Sequence, residues 1–384
     1  MTVQTEQRQP DMTYSETETE LRAAVRSVLE EKAAAADVLA RTESGETYDA
    51  GLWRTLAAGI GCSGLLIPEE HGGAGASFRE VAVVAEEIGR SVAAVPFLGS
   101  AVVATVALLA AGDTELLGGL ADGSVTAALA VPFESMPGGL PQAKVRIGPA
   151  AADDQDGTYR LSGSIAGVAD ALPADVLIVP ADGVPYGLYV VQACAAGVSK
   201  SPVISLDMTR QLCDITLDSA PARRIAGGPE ADSAIEDALR AGAGILAAEQ
   251  LGLAERALDI TLAYVKQRYQ FARPVGSFQA LKHRFADWWV AVTQARAASR
   301  YAAACLASDD ADVRVAVALA KSICSETALH AGQEMIQLHG GIGFTWEHPA
   351  HLYLKRAKTT ALAFGTPDRH RASLAALVDL PAAP

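Results

Sequence analysis

Residues 266–284 hold five cations, Lys266, Arg268, Arg273, Lys282 and Arg284, and no acid, in a chain whose formal net charge is -14. A local reversal of sign in an acidic protein is the footprint of an anion site, because the rest of the surface repels anions. Phe271 and Phe278 interleave with the cations, and Arg273-Pro274 followed by Gly276 breaks the helix beside them. That break opens a helix end and a turn to phosphate contact. A solvated helix face would explain the charges, but not the aromatics or the break. A second stretch, I-Q-L-H-G-G-I-G-F-T-W-E-H-P at 336–349, sets Gly340 and Gly341 after a helical run. There they stop the helix and clear side chains from the backbone, while Gln337 offers an amide to a dinucleotide. The plainer alternative is a helix C-cap. His348 and His351 share a helix face with Glu347 beside them, as in a metal pair. No third and fourth ligand accompanies them, and no metal site is expected.

These stretches need a scaffold, and 384 residues suffice for two or three domains with a sizeable core. Half the residues are hydrophobic, yet no run approaches the ~20 apolar residues of a membrane span. The first ten residues lack the basic and apolar regions of a secretion signal. The cysteines at 62, 194, 213, 305 and 324 are odd in number and form no C-x-x-C pair. They fit reduced thiols, so a soluble cytoplasmic protein is expected. Acidity of this degree argues against nucleic acid or an anionic membrane as partner.

In chain order, residues 1–20 read as an acidic lead-in, with S-E-T-E-T-E at 15–20 as frayed chain or a first helical turn. Residues 21–121 form a helical domain by apolar spacing, including helices at 52–58, 78–90 and 100–111 and a glycine-rich loop at 64–75. From 122 to 230 the pattern changes to short β-rich runs divided by Gly, Pro and Asp, at 125–132, 144–147, 159–164, 176–180, 186–191 and 213–218. Such runs predict a small antiparallel barrel or sandwich. Residues 231–384 return to helices, at 238–270, 277–307, 312–338 and 348–361, joined by short turns as in an antiparallel four-helix bundle.

R-Y-Q-F-A-R-P-V-G-S-F-Q at 268–279 resembles the R-x-x-F-G-x-P-[I/L]-x-x-x-Q segment of acyl-CoA dehydrogenases, with Ala272 in place of the usual Gly. G-L-L-I-P-E-E-H-G-G-A-G at 64–75 resembles the P-E-x-x-G-G-x-G loop of that family's N-terminal domain. S-L-D-M-T-R at 205–210 is similar to its D-x-T-R turn, and 337–344 to its Q-x-x-G-G-x-G-[F/Y] signature. The helical, β, helical order is the family's, and the likeness covers the chain after residue 20. The resemblance implies α,β-dehydrogenation of an acyl-CoA thioester with FAD, and an electron-transfer flavoprotein or similar acceptor. It further implies a homo- or heterotetramer in which the FAD adenylate lies across a subunit interface. Carried over by position, Arg268, Phe271, Gln279, Gln337, Gly340, Gly341 and Thr366 would contact FAD.

The chain departs from the family where chemistry is done. At the Y-E-G-T motif, whose Glu is the base in many members, this chain reads A-F-G-T, with Phe364 in the Glu position. The family's other base position falls on Gly242. The nearest acid on the same helix face is Glu249, two turns away, either a relocated base or a paired structural residue. T-E-P-x-x-G-S-D and W-I-T-N-G, which adjoin the flavin ring, are represented by A-V-P-F-E-S-M-P-G-G at 130–139 and S-I-A-G-V-A-D at 164–170. The resemblance therefore implies the FAD-completing half of a heteromer that acts on bulky acyl-CoA thioesters, steroid side chains included. A self-sufficient homotetramer with Glu249 as base and a flavin-free scaffold are the alternatives.

Overall fold

The computed structural model describes residues 11–46, 48–148 and 157–381. The N-terminal helices are α1 (Glu16–Lys32), α2 (Ala35–Thr42), α3 (Ala50–Arg54), α4 (Phe78–Ser91), α5 (Thr105–Ala110) and α6 (Leu117–Ala121). Of the two readings of 15–20, the first helical turn holds: α1 starts at Glu16, because Ser15 and Glu18 form a capping box that satisfies the first free amides. The first ten residues of the expected lead-in fall outside the described residues. Helix α3 passes into a π-turn, Thr55–Ile60, that Gly61 ends with φ 86. The helix expected at 100–111 is π-helical over Phe97–Ala104 before α5 continues it.

Among the described residues seven strands form the middle sheet: β1 (Ala127–Leu129), β2 (Val145–Gly148), β3 (Thr158–Ala169), β4 (Val176–Asp182), β5 (Gly187–Gln192), β6 (Val198–Val203) and β7 (Leu212–Gly227). The ladder runs β2–β3–β7–β5–β4 and returns to β2, so the sheet closes on itself. Closure removes the edges that a small sheet would expose. Most pairings are antiparallel, as expected, but β4 runs parallel to β1 and β2. Strand β6 has no counterpart among the expected runs. Its sequence, V-S-K-S-P-V, is largely exposed and it pairs only with β7. An edge position tolerates Pro202 and needs no alternation of apolar residues. Alternate residues of the ring, such as Leu161, Ile165, Leu177, Val179, Tyr189 and Ile215, fill its interior.

The C-terminal helices are α7 (Pro229–Gln267), α8 (Gln279–Ser308), α9 (Val313–His339), α10 (Ala350–Leu362) and α11 (Pro367–Leu377). Thus α11 joins the four expected helices, packed against α9. Helix α7 starts early because Pro229 suits the first helical turn. A minimal hairpin of β8 (Tyr269–Gln270) and β9 (Arg273–Pro274) separates it from α8. Helix α7 is the axis of the molecule. Over residues 241–254 it is buried on every side, built of Ala, Gly and Leu against α4, α8, α9 and α10. Gly89 of α4 and Gly252 of α7 sit where a Cβ would strike the backbone of the facing helix, so the two backbones touch. N-terminal and C-terminal helices consequently share one apolar core, while the barrel keeps its own. No helix among the described residues is long and apolar enough to cross a membrane.

Candidate functional site

At the far end of α7, Arg268 caps the helix and turns the chain into the hairpin, its carbonyl accepting from the amide of Val275 at 2.7 Å. Phe271 and Ala272 form the tip with φ 52 and 59. Phe271 is 86% exposed. It meets Phe278 edge-on, and the Arg273 guanidinium lies 3.8 Å over the Phe278 ring. Arg284 is bound to Glu334 at 2.6 Å and leaves the cationic set. Among the described residues Lys266, Arg268, Arg273 and Lys282 make no ion pair, so four cations stay available to an anion. Tyr264, one turn before Arg268, stacks on His339 at 4.4 Å and donates to its carbonyl at 3.3 Å. This contact brings the end of α9 alongside the hairpin. Beyond it Gly340 and Gly341 face open space, where a Cβ would meet nothing within 4 Å, and Gln337 is exposed. Unpaired cations beside bare, side-chain-free backbone suit an anionic dinucleotide. Arg268, Phe271, Gln279, Gln337, Gly340 and Gly341 are thereby gathered at one end of the bundle.

Thr366 is not with them. It caps α11, with its Oγ1 accepting from the Arg369 amide, at the turn that carries Phe364. Phe364 rests on Gly242 of α7, and Gly242 and Arg268 are twenty-six residues apart in that helix, roughly 39 Å at 1.5 Å per residue. That is too far for one extended flavin dinucleotide to touch both. Within a single chain, Thr366 and the hairpin group therefore lie at different levels of the bundle.

The two positions from which the family draws its base face each other. A Cβ on Gly242 would lie 2.9 Å from Phe364 Cζ and 2.9 Å from Val103 Cγ2. Phe364 is 4% exposed, has φ 51, and packs edge-on against Phe133 with centroids 5.4 Å apart. Its amide donates to the Phe133 carbonyl at 2.8 Å, and His370 Nε2 donates to the Phe364 carbonyl at 2.8 Å. Neither Phe364 nor Gly242 can take a proton, and the hydrocarbon of Phe364 and Val103 occupies the space at Gly242.

Glu249 lies away from this spot, buried between two arginines. Arg210, from the turn before β7, donates to it at 2.7 Å, and Arg356 of α10 at 2.8 Å. Burial pushes the carboxyl up, but the two guanidiniums outweigh burial and hold it well down, at about 2. A base working near neutrality needs the opposite shift. This is the environment of an ion pair that ties barrel to bundle, with Asp207 and Thr209 beside Arg356. Arg210 stands within the D-x-T-R turn and Arg356 in the last expected helix, but nothing in the sequence pairs them with Glu249.

Beside the Phe364 turn a cleft of about 480 Å³ lies between barrel and bundle, lined by Phe133, Glu134, Gly167, Ile204, Lys358 and Leu362. The residues standing for W-I-T-N-G give it no ring and little free backbone. The Gly167 amide is spent on Asp214 at 2.8 Å and its carbonyl accepts from Phe133. The adenylate end of a flavin dinucleotide therefore fits this chain better than the flavin ring does. His348 Nδ1 accepts from the Ala350 amide and His351 Nε2 donates to the Trp346 carbonyl. Among the described residues no three metal-capable side chains converge.

A helical layer, a closed barrel and a C-terminal helical bundle define the fold of a flavin-dependent dehydrogenase. The chain belongs to the acyl-CoA dehydrogenase family, FAD-dependent oxidoreductases acting on CH–CH bonds. Residues 15–118 match the acyl-CoA dehydrogenase N-terminal domain and residues 233–378 the C-terminal domain. Acyl-CoA dehydrogenase IpdE2 of Mycobacterium tuberculosis is 37% identical over 93% of this chain and 95% of its own. The Tcur3481-Tcur3483 steroid ACAD superposes with TM-score 0.81 at 32% identity, covering 95% of this chain and 98% of that one. The ChsE4-ChsE5 complex from Mycobacterium tuberculosis gives TM-score 0.84 at 27% identity, covering 97% and 100%.

Proposed function

We propose that this chain is the FAD-completing, non-catalytic half of a heteromeric acyl-CoA dehydrogenase. The observation that carries the reading is Phe364 seated on Gly242, which fills both usual base positions with hydrocarbon. A thioester needs a carboxylate there to take its α proton, and FAD, when bound, supplies the acceptor for the β hydride. This chain offers Arg268, Phe271, Gln279, Gln337, Gly340 and Gly341 to the adenylate of a flavin whose ring, base and thioester seat belong to a partner of the same fold. Thr366 would serve the dinucleotide at the opposite end of α7. The separation of the two groups along α7 supports an interface role. Structural neighbours that are two-component complexes, one of them named for steroids, support a heteromer and a bulky acyl group such as a steroid side chain. An electron-transfer flavoprotein or similar carrier would take the electrons, in a soluble, cytoplasmic, tetrameric assembly. Co-expression with an acyl-CoA dehydrogenase chain that keeps the Y-E-G-T glutamate, followed by subunit and flavin quantification, tests this. The expected result is a 2:2 complex that oxidises acyl-CoA, while the chain alone does not. One FAD per subunit and normal turnover by the isolated chain would overturn the reading.

A further inference from the structure

Under the turn at 364–366 lies a buried lysine with no acid. Lys321 of α9 is fully enclosed, and its Nζ donates to Ser325 Oγ at 2.9 Å, the Thr360 carbonyl at 2.9 Å and the Gly365 carbonyl at 3.4 Å. Three oxygens thus meet the three donors of an ammonium, and none is a carboxylate. The facing groups are few. Cys324 and Ser325 lie on α9 itself, and Ser325 donates onward to Gln250 of α7. Thr360 belongs to α10, and His370 of α11 holds the Phe364 carbonyl from the other side. Glu249, next to Gln250, is committed to its two arginines.

The turn needs holding, because Phe364 occupies the left-handed region, where an aromatic residue is strained. We propose that Lys321 is a positioning residue that ties the 364–366 turn to α10, keeping Phe364 on Gly242 and Thr366 at the start of α11, and that its grip loosens when it loses a proton. As an ammonium it serves all three oxygens. As an amine it has two N–H groups, and the 3.4 Å contact to Gly365 is the one it gives up. Burial lowers the group to about 7, which brings the change into an accessible pH range. The consequence for the dinucleotide rests on the function proposed above; the lock itself does not.

Hydrogen exchange of the amides at 363–366 in the full chain, corrected for intrinsic rates, reads the lock without any flavin. In the parent protein, protection is expected to fall about tenfold or more between pH 6 and pH 8.5. Lys321→Met should show weak protection, equal at both pH values, and Lys321→Arg should not restore the parent profile. Equal protection of the parent at both pH values, or an unchanged pH dependence in Lys321→Met, overturns the proposal. Should Lys321→Met not fold, NMR titration of the Lys321 ammonium in the parent decides, since a free-lysine midpoint also overturns it. Flavin retention by the assembled complex over the same range separates the two readings. Constant retention beside pH-dependent protection keeps the lock and removes Thr366 from the dinucleotide contacts.

Discussion

Glu249 and Arg356 meet at 2.8 Å with both side chains buried, one on α7 and the other on α10, and Arg210 closes the pair from the barrel side at 2.7 Å. Removing one charge from such a group strands the others in a medium that cannot solvate them, which costs about 3–5 kcal/mol. Glu249→Gln should therefore lower the unfolding free energy by an amount of that order, read from denaturant or thermal curves. In an assembled complex that survives the change, turnover per bound flavin should be kept. Loss of turnover with unchanged stability would make Glu249 a base after all. The pH dependence has a defined sign. Burial raises this carboxyl, the arginines lower it further than burial raises it, and the folded value lies below the ordinary 4.5. Its contribution is then complete above about pH 4.5 and lost as pH falls toward 2. Glu249→Gln should flatten that acid limb.

Gly242 and Phe364 make a matched pair, large against nothing. Gly242→Ala would press a methyl to 2.9 Å from Phe364 Cζ and Val103 Cγ2, a misfit that should destabilise by about 1–3 kcal/mol. Phe364→Leu in the same chain should relieve part of it, so the double variant should be more stable than the two single losses predict. Strict additivity in thermal unfolding would show that the ring does not occupy this space.

Much of this was legible beforehand, for reasons that differ by residue. The glycines at 340–341, the R-Y-Q-F-A-R-P run and the order of helical and β-rich segments are local signals, and each lies where its local chemistry places it. That 364 and 242 carry no carboxylate was also visible, because a missing side chain is a one-residue fact. What the ring does instead was not, since the contact joins positions 122 residues apart. The partners of Glu249 were hidden for the same reason: Arg210 and Arg356 approach it through tertiary packing of three elements. Strand β6 was hidden because it is a polar edge strand whose only signal is its neighbour. Arg284 belongs to the cationic run in sequence, but Glu334, fifty residues on, neutralises it in the fold.

Arg268 makes no ion pair among the described residues and sits exposed at the end of α7, so its charge does little for the fold. Arg268→Glu should leave the thermal midpoint of the chain nearly unchanged, within about 0.5 kcal/mol in stability terms. Flavin occupancy of the assembled complex should fall, because a charge-assisted contact is worth about 1.5–3 kcal/mol, or roughly 10–100-fold in affinity. Absorbance at the flavin band per mole of complex measures the effect. Full occupancy in that variant would remove the hairpin from the dinucleotide site.

Ala272 supplies the last test, and it concerns conformation alone. The residue sits at the tip of the hairpin with φ 59, where the family usually has glycine and where a Cβ crowds its own carbonyl. The left-handed region costs an L-residue roughly 1–2 kcal/mol, while glycine enters it freely. Replacing it by Gly relieves that strain but also loosens the unfolded chain, which offsets about 0.4–1 kcal/mol of the gain. Ala272→Gly should accordingly raise stability by up to about 1.6 kcal/mol, or leave it level, and should not lower flavin occupancy. A clear loss of flavin on this change, with the fold intact, would mean that the alanine methyl itself touches the dinucleotide, so that the departure from the family motif is a contact rather than a tolerated strain.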